Sequence, residues 1–381
     1  MNPDNSAFQF ALNSRIYVDK TGLIEYTNSV LDTTNAYICN SRPRRFGKSY
    51  AANMLAAYYS KGTDSEQMFS GLRISKDADF KKHLNKYDVI HIDIQWFLAN
   101  CDDADKVVSF ITKSVLDELR GIYPDALPQE VVTLPDALSR VKERTGQKFV
   151  VIIDEWDVII RDGAIIENIQ DEYLNFLRGM FKGVEPTKYI QLAYLTGILP
   201  IKKERAQSAV NNLDEFTMLQ ADELAPYIGF TENEVKGLCE KYNRDFDKVK
   251  KWYDGYLLDG YQVYNPKAVV SVMTKGRFRS YWSETGSYEV VVPLICMNYD
   301  GLKNSIIEML SGSEVKVDTA TFKNDPAKIQ NRDDVITYLI HLGYLGYNED
   351  SESAFVPNEE IRQELITAVR SSSWDELIAF Q

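Results

Sequence analysis

The chain has 381 residues, 44% of them hydrophobic and 12% aromatic, which is enough apolar material to bury a core and too much for a disordered chain. Its net charge of −13 argues against a chain-wide electrostatic footprint for nucleic acid, and no apolar run approaches the roughly 18 residues that span a bilayer. Four scattered cysteines (Cys39, Cys101, Cys239, Cys296) and three histidines (His83, His91, His341) show no zinc spacing or disulfide framework. With no basic-then-apolar leader, these features predict reduced thiols and a cytoplasmic location.

In chain order, AYIC (36–39) reads as a short buried strand. It runs into RPRRFGKS (42–49), whose last three residues, Gly47, Lys48 and Ser49, complete the phosphate-loop pattern G-x-x-x-x-G-K-[ST]. Arg42 stands where that pattern has its first glycine, and Pro43 offers a fixed φ to make the turn instead. After the loop, Ala51, Met54, Leu55, Tyr58 and Tyr59 recur at helical spacing. The loop therefore sits where a strand turns into a helix, the context its chemistry needs.

Further continuous apolar runs follow at 87–94, 149–155 and 189–197, with a weaker one at 215–219. Helical stretches at 106–123 and 169–181 separate them, so the pattern predicts an α/β fold with a mainly parallel sheet covered on both faces. Beyond residue 220 the character changes. Segments 232–242 and 246–256 read as helices, and Pro266 starts another. The last stretch reads helix, hairpin with its turn at Asn348–Ser353, helix, an order resembling a winged-helix module.

The chemistry gathers on two strand ends. Lys48 is placed for the β/γ-phosphates, and the Ser49 hydroxyl for Mg²⁺. FVVIIDE supplies Asp154 to support that ion, and Glu155 to activate the attacking water. A GKS tripeptide alone is an ordinary surface turn, and a lone apolar strand ending in DE is ordinary too; their conjunction carries the assignment. Thr196, in YLTG, is placed either to sense the γ-phosphate or to cap a turn. Lys202, Lys203 and Arg205 offer positive charge in cis or to a neighbour, or form a solvated turn. Asp157 is either a supporting carboxylate or a helix cap. Arg44 and Arg45 are candidates for charge-assisted phosphate contacts.

YVDKT (17–21), RPRRFGKS, VVIIDEWD (150–157), LTGILPI (195–201), WYDGY (252–256), YNP (264–266) and YWSETG (281–286) occur in order. Together they resemble the bacterial and archaeal AAA-ATPase-like family, related to the signal-transducing STAND-type ATPases. The family writes its loop RPRRFGKS, so Arg42 is its own form; Tyr50 departs from an expected Leu. The resemblance implies a three-layer P-loop NTPase core with strand order 5-1-4-3-2 and the nucleotide above the strands' C-terminal ends. Family members commonly continue into a PD-(D/E)XK nuclease-like domain, which would start where this chain stops, at Gln381. Inside the chain, Asp300 with Glu314-Val315-Lys316 fits the nuclease pattern only loosely.

The combined expectation is a core over residues 1–220, a helical lid over 221–290 and a small winged-helix-like domain over 291–381. ATP and Mg²⁺ are the expected ligands. Arg44, Arg45, Phe46, Gly47, Lys48 and Ser49 form the expected nucleotide-binding set, with Asp19 and Lys20 bordering the adenine. Ser49 and Asp154 serve the metal, and Glu155 and Thr196 the chemistry. The expected activity is Mg²⁺-dependent ATP hydrolysis coupled to conformational change. Two alternatives stay open: a non-hydrolysing switch for an effector domain, protein partner or second copy, and a winged-helix nucleic-acid binder. Acidic residues Asp350, Glu352, Glu359 and Glu360 speak against the last.

Overall fold

Five strands built from the apolar runs form the central sheet: β1 (Tyr37–Ser41), β2 (Asp88–Asp93), β3 (Phe149–Asp154), β4 (Ile190–Gly197) and β5 (Asp214–Phe216). The computed structural model describes residues 1–201, 212–282, 288–297 and 299–371. Lys202, Lys203, Arg205 and residues 283–286 of the YWSETG motif lie outside the described residues. Contacts divide the chain into two units: Met1–Asn40 with Lys48–Glu215, and Ser41–Gly47 with the chain from Phe216 onward.

The sheet order is β2-β3-β4-β1-β5, the expected 5-1-4-3-2 read from the other edge. β2 and β3 run parallel from Asp88↔Phe149 to Asp93↔Asp154, and β3 and β4 run parallel up to Ile153↔Leu195. Every residue of β1 and β3 is buried, as continuous apolar runs require when helices cover both faces of a sheet. β5 is shorter than the 215–219 run. The apolar residues Met218 and Leu219 follow the strand instead of extending it.

The crossover helices follow from their spacing. Helix Val107–Ile122 buries Val107, Ile111, Val115, Leu116 and Leu119, one stripe at three- and four-residue intervals. Each such side chain contributes about 1.5–3 kcal/mol of burial free energy, as an upper bound. Helix Leu134–Thr145 opens with Pro135 in its first turn and ends at left-handed Gly146, whose N–H returns to the Lys142 carbonyl. Helix Lys48–Tyr59 buries more than the expected stripe, because Ala52, Ala56 and Ala57 make its other face narrow enough to sink as well. Its aromatic hydroxyls are satisfied: Tyr58 donates to the Phe80 carbonyl (2.7 Å), and Tyr59 donates to Asn28 Oδ1 (2.8 Å).

The second unit contains two small antiparallel sheets. One, ordered β6-β8-β7, joins β6 (Phe230–Thr231), β7 (Tyr256–Leu258) and β8 (Tyr261–Tyr264). The β7–β8 hairpin turns on Asp259-Gly260, both left-handed at φ +46° and +80°, a type I′ pair. The helix expected over 246–256 stops at Tyr253, since Gly255 at φ +112° passes so close to Pro357 that a Cβ would lie 2.1 Å from its carbonyl oxygen. The other sheet, β10-β11-β9, joins β9 (Val315–Lys316), β10 (Gly346–Asn348) and β11 (Ser353–Phe355). Helix Arg332–Leu342 precedes this hairpin and helix Glu359–Ser371 follows it. Among the described residues, no helix is long and apolar enough to cross a membrane.

Candidate functional site

The loop after β1 is held by its departure from the standard pattern. Arg42 is fully buried, and its Nη1 donates to the carbonyls of Ser41 (2.8 Å), Thr217 (3.1 Å) and Phe216 (3.2 Å). A guanidinium strap thus fixes the strand exit where other loops use a glycine turn. The left-handed positions are Arg45 (φ +69°) and Gly47 (φ +94°). Nothing lies within 4 Å of where a Gly47 Cβ would stand, so its backbone conformation alone demands glycine. Phe46 is a buried anchor, edge-on to Tyr256 with ring centres 5.5 Å apart, and its carbonyl accepts from Gly229 N (3.0 Å). Arg44 and Arg45 are exposed and line a narrow crevice with Asn265, Lys267, Trp282 and Glu360.

In the first unit, the start of helix Lys48–Tyr59 meets the end of β3. Lys48 is buried, with Nζ 3.8 Å from Glu155 Oε1. Burial lowers its pKa, against the pull of Glu155, Asp157 and Asp154. The Ser49 hydroxyl hydrogen-bonds the Asp154 carboxylate. Burial pushes Asp154 up to about 6, with smaller upward contributions from Glu155 and Asp93, while Ser49 and Lys48 pull it down. Asp93 faces Asp154 across the β2/β3 register, and its carboxylate caps the next helix by accepting from Trp96 N (3.1 Å). Asp154 Oδ1 also accepts from Glu155 N (3.0 Å), and Glu155 is left-handed at φ +51°. A non-glycine residue there is strained and persists only where its surroundings hold it.

Those surroundings include a residue that the motif reading missed. Arg161 places Nη2 2.8 Å from Glu155 Oε2 and Nε 2.7 Å from Asp157 Oδ2. Asp157, fully buried, makes no side-chain cap for its own helix, Val158–Arg161. Its Oδ2 accepts instead from Ile198 N (3.1 Å) and Leu199 N (2.8 Å), tying the end of β3 to the segment leaving β4. Thr196 joins through the backbone, its carbonyl accepting from Trp156 N (3.0 Å). Its Oγ1 is buried and, among the described residues, has no partner, a rare state for a buried polar atom.

Lys48, Ser49, Asp154, Glu155 and Thr196 are therefore brought to one pair of strand ends. Asp19 is engaged elsewhere: Oδ1 accepts from Thr21 N (2.8 Å) and Thr21 Oγ1 (2.6 Å), and Oδ2 from Arg73 N (2.6 Å). Lys20, next to it, is half-buried. Glu314, from the loose nuclease pattern, accepts from Ser351 Oγ (2.9 Å).

No group of three or more His, Cys, Asp or Glu side chains among the described residues is able to enclose a metal. A magnesium ion held beside phosphates does not need one, because it keeps several waters and takes one or two protein ligands. Ser49 and Asp154 fit that part. Lys48, a buried cation beside an open left-handed glycine, fits an anion of the phosphate class.

Residues 7–206 match the family described as AAA-ATPase_like, predicted AAA-ATPase. The chain is 27% identical over 284 residues to an uncharacterized protein in the vnfD 5′ region of Azotobacter chroococcum mcd 1. That alignment covers 73% of this chain and 52% of the relative, so the chain matches about half of the relative's length. Among solved structures it is similar to the Aeropyrum pernix ORC2 protein in its ADPNP–ADP complexes, with 13% identity and a TM-score of 0.39 over 98% of this chain and 99% of that one. AMPPCP-bound DnaA from Aquifex aeolicus is similar at 13% identity and a TM-score of 0.36, over 97% of this chain and 94% of that one.

Proposed function

The chain belongs to the AAA-ATPase-like family, a nucleotide-binding ATPase module, and on that premise we propose that it binds ATP with Mg²⁺ and hydrolyses it. The observation that carries this reading is the meeting of Lys48, Ser49, Asp154 and Glu155 at one site, with Lys48 buried and its Nζ 3.8 Å from Glu155.

In this reading Lys48 binds the β- and γ-phosphates, exchanging its pairing with Glu155 for phosphate oxygens. Gly47 leaves space for their approach, and Arg44, Arg45 and Phe46 complete the nucleotide-binding loop. Ser49 and Asp154 hold Mg²⁺, which supplies charge neutralisation at the phosphates. Glu155 accepts a proton from a water whose oxygen attacks the terminal phosphorus. The bond from that phosphorus to the bridging oxygen breaks, leaving ADP and inorganic phosphate. Thr196 orients that water or the γ-phosphate through its unpartnered Oγ1.

Turnover drives a conformational output to an effector domain, a protein partner or a second copy, in the cytoplasm. The chain's working division is a core to residue 220, a lid over 221–290 and a winged-helix-like end over 291–381 that packs rather than binds nucleic acid. One observation favours a slow switch over a fast hydrolase: Oε2 of Glu155 is already engaged by Arg161.

The test is Mg²⁺-dependent phosphate release from ATP by the wild type and by Glu155→Gln, with nucleotide binding measured separately. The reading expects Glu155→Gln to bind ATP and to lose about 10²–10⁴-fold in kcat, the contribution of a positioned base. Equal turnover by both proteins refutes the role of Glu155, and absence of ATP binding refutes the nucleotide site.

A further inference from the structure

We propose that Arg161 is a positioning residue that restrains Glu155, and that turnover requires its guanidinium to let go of the carboxylate. This rests on the ATPase reading of the same site.

Both oxygens of Glu155 face cations: Oε2 is 2.8 Å from Arg161 Nη2, and Oε1 is 3.8 Å from Lys48 Nζ. A carboxylate that activates water must offer a lone pair to the proton it removes. Here one oxygen is occupied by a charge-assisted hydrogen bond and the other looks toward an ammonium. The pair is shielded, with Arg161 10% and Glu155 25% exposed, so water screens it far less than it would a surface pair.

Lys48 has a natural release, because phosphate oxygens compete for it. Arg161 does not, because it stands on a second carboxylate. Its Nε bonds Asp157 Oδ2 at 2.7 Å, and the same oxygen accepts the N–H groups of Ile198 and Leu199. The guanidinium fork therefore has one fixed tine and one movable tine. Nη2 can leave Glu155 while Nε keeps its bond, so release leaves no bare buried charge. The anchor is shared with the backbone that continues from β4, so a shift of residues 198–199 would move Asp157, then Arg161, then the oxygen of Glu155. The strained φ of +51° at Glu155 belongs to this restrained arrangement.

The experiment compares steady-state ATP hydrolysis by the wild type, Arg161→Lys and the double variant Asp157→Asn/Arg161→Gln, each with and without Glu155→Gln. Lysine keeps a charge for Asp157 but has no fork to span both carboxylates. The double variant removes both charges, so it carries the test if Arg161→Lys does not fold. Release of Glu155 raises kcat by about 3- to 10-fold, a small part of the roughly 10²–10⁴-fold effect of a positioned base, and leaves KM within about twofold. In the Glu155→Gln background the gain disappears, the coupling a double-mutant cycle isolates.

An unchanged or lower kcat in folded variants overturns the inference, as does a gain that persists without Glu155. If the wild type releases no phosphate, activity appearing in Arg161→Lys supports the restraint, and continued silence overturns it. ATP binding and the effect of Glu155→Gln alone are read in the same series. The ATPase reading can thus fail, or stand, independently of Arg161.

Discussion

Lys48 and Glu155 face each other at 3.8 Å between Nζ and Oε1, with the ammonium buried and the carboxylate at the edge of solvent. A cation held this way contributes little to the unliganded fold, because its desolvation offsets its attraction to the carboxylates. Lys48→Met therefore leaves the melting temperature of the nucleotide-free protein unchanged or higher. The stabilisation by bound ATP, about 2.7 kcal/mol at a hundredfold excess over Kd in the wild type, disappears. Thermal melts with and without Mg²⁺-ATP check both halves.

Asp154, pushed up to about 6 chiefly by burial, is protonated in half the unliganded molecules near that pH. A carboxylate that holds Mg²⁺, as proposed for Asp154, must be ionised, so protons compete with the ion and affinity falls as pH drops through this value. Calorimetric titration of Mg²⁺-nucleotide between pH 5 and 8 should show the wild type weakening on the acid side. Asp154→Asn should bind more weakly and lose that dependence.

Glu360 opens helix Glu359–Ser371 and is almost wholly buried, accepting on Oε1 from Tyr281 N (2.6 Å) and Trp282 N (3.1 Å). Burial raises it from an ordinary 4.5 to about 8, with Glu364 adding to the rise and the two N–H donors opposing it. The folded state thus keeps a proton that the unfolded chain releases above its ordinary value. Its contribution to stability is complete below pH 4.5 and declines until about pH 8, by at most about 1.4 kcal/mol per pH unit. Glu360→Gln retains an acceptor for both N–H groups and removes the titration. Urea unfolding at pH 5 and pH 8 should show the variant gaining on the wild type at the higher pH.

Gly197 ends β4 against Trp156 and Asp157. A Cβ there would lie 2.6 Å from Asp157 Oδ1 and 2.7 Å from Trp156 Cδ1. Gly197→Ala should lower stability by about 1–3 kcal/mol through overpacking, visible as a reduced urea midpoint with an unchanged slope. Because the displaced groups adjoin Glu155 and Thr196, kcat should fall with it.

The sheet was legible because its strands carry an unmixed signal. Runs such as FVVII, ahead of Asp154, have no polar residue to blur the assignment, and their order along the chain limits the topologies open to them. The meeting of Lys48, Ser49, Asp154 and Glu155 was legible because their two motifs place them by fixed spacing around strand ends. The β7–β8 hairpin went unread although Asp259-Gly260 is a strong turn signal, because the flanking strands hold only three and four residues. Arg161 carried no motif at all. Its only trace is the i,i+4 spacing from Asp157, a pairing too common on helices to single out one arginine. Phe46 shows the opposite limit: the motif marks its position, while its side chain serves the packing of Tyr256.

Trp156 sits between Glu155 and Asp157 with no solvent exposure, its backbone carbonyl accepting from Tyr173 Oη (2.7 Å) and its backbone N–H donating to the Thr196 carbonyl. Its indole is thus a built-in optical reporter, rigid and in a medium of low polarity, at a point where the chemistry of two strand ends converges. Its emission belongs at the blue end of the tryptophan range, apart from that of the exposed Trp96. In a variant that keeps Trp156 alone of the five tryptophans, occupancy of the neighbouring carboxylates can be followed as a change in brightness, in real time and without a label.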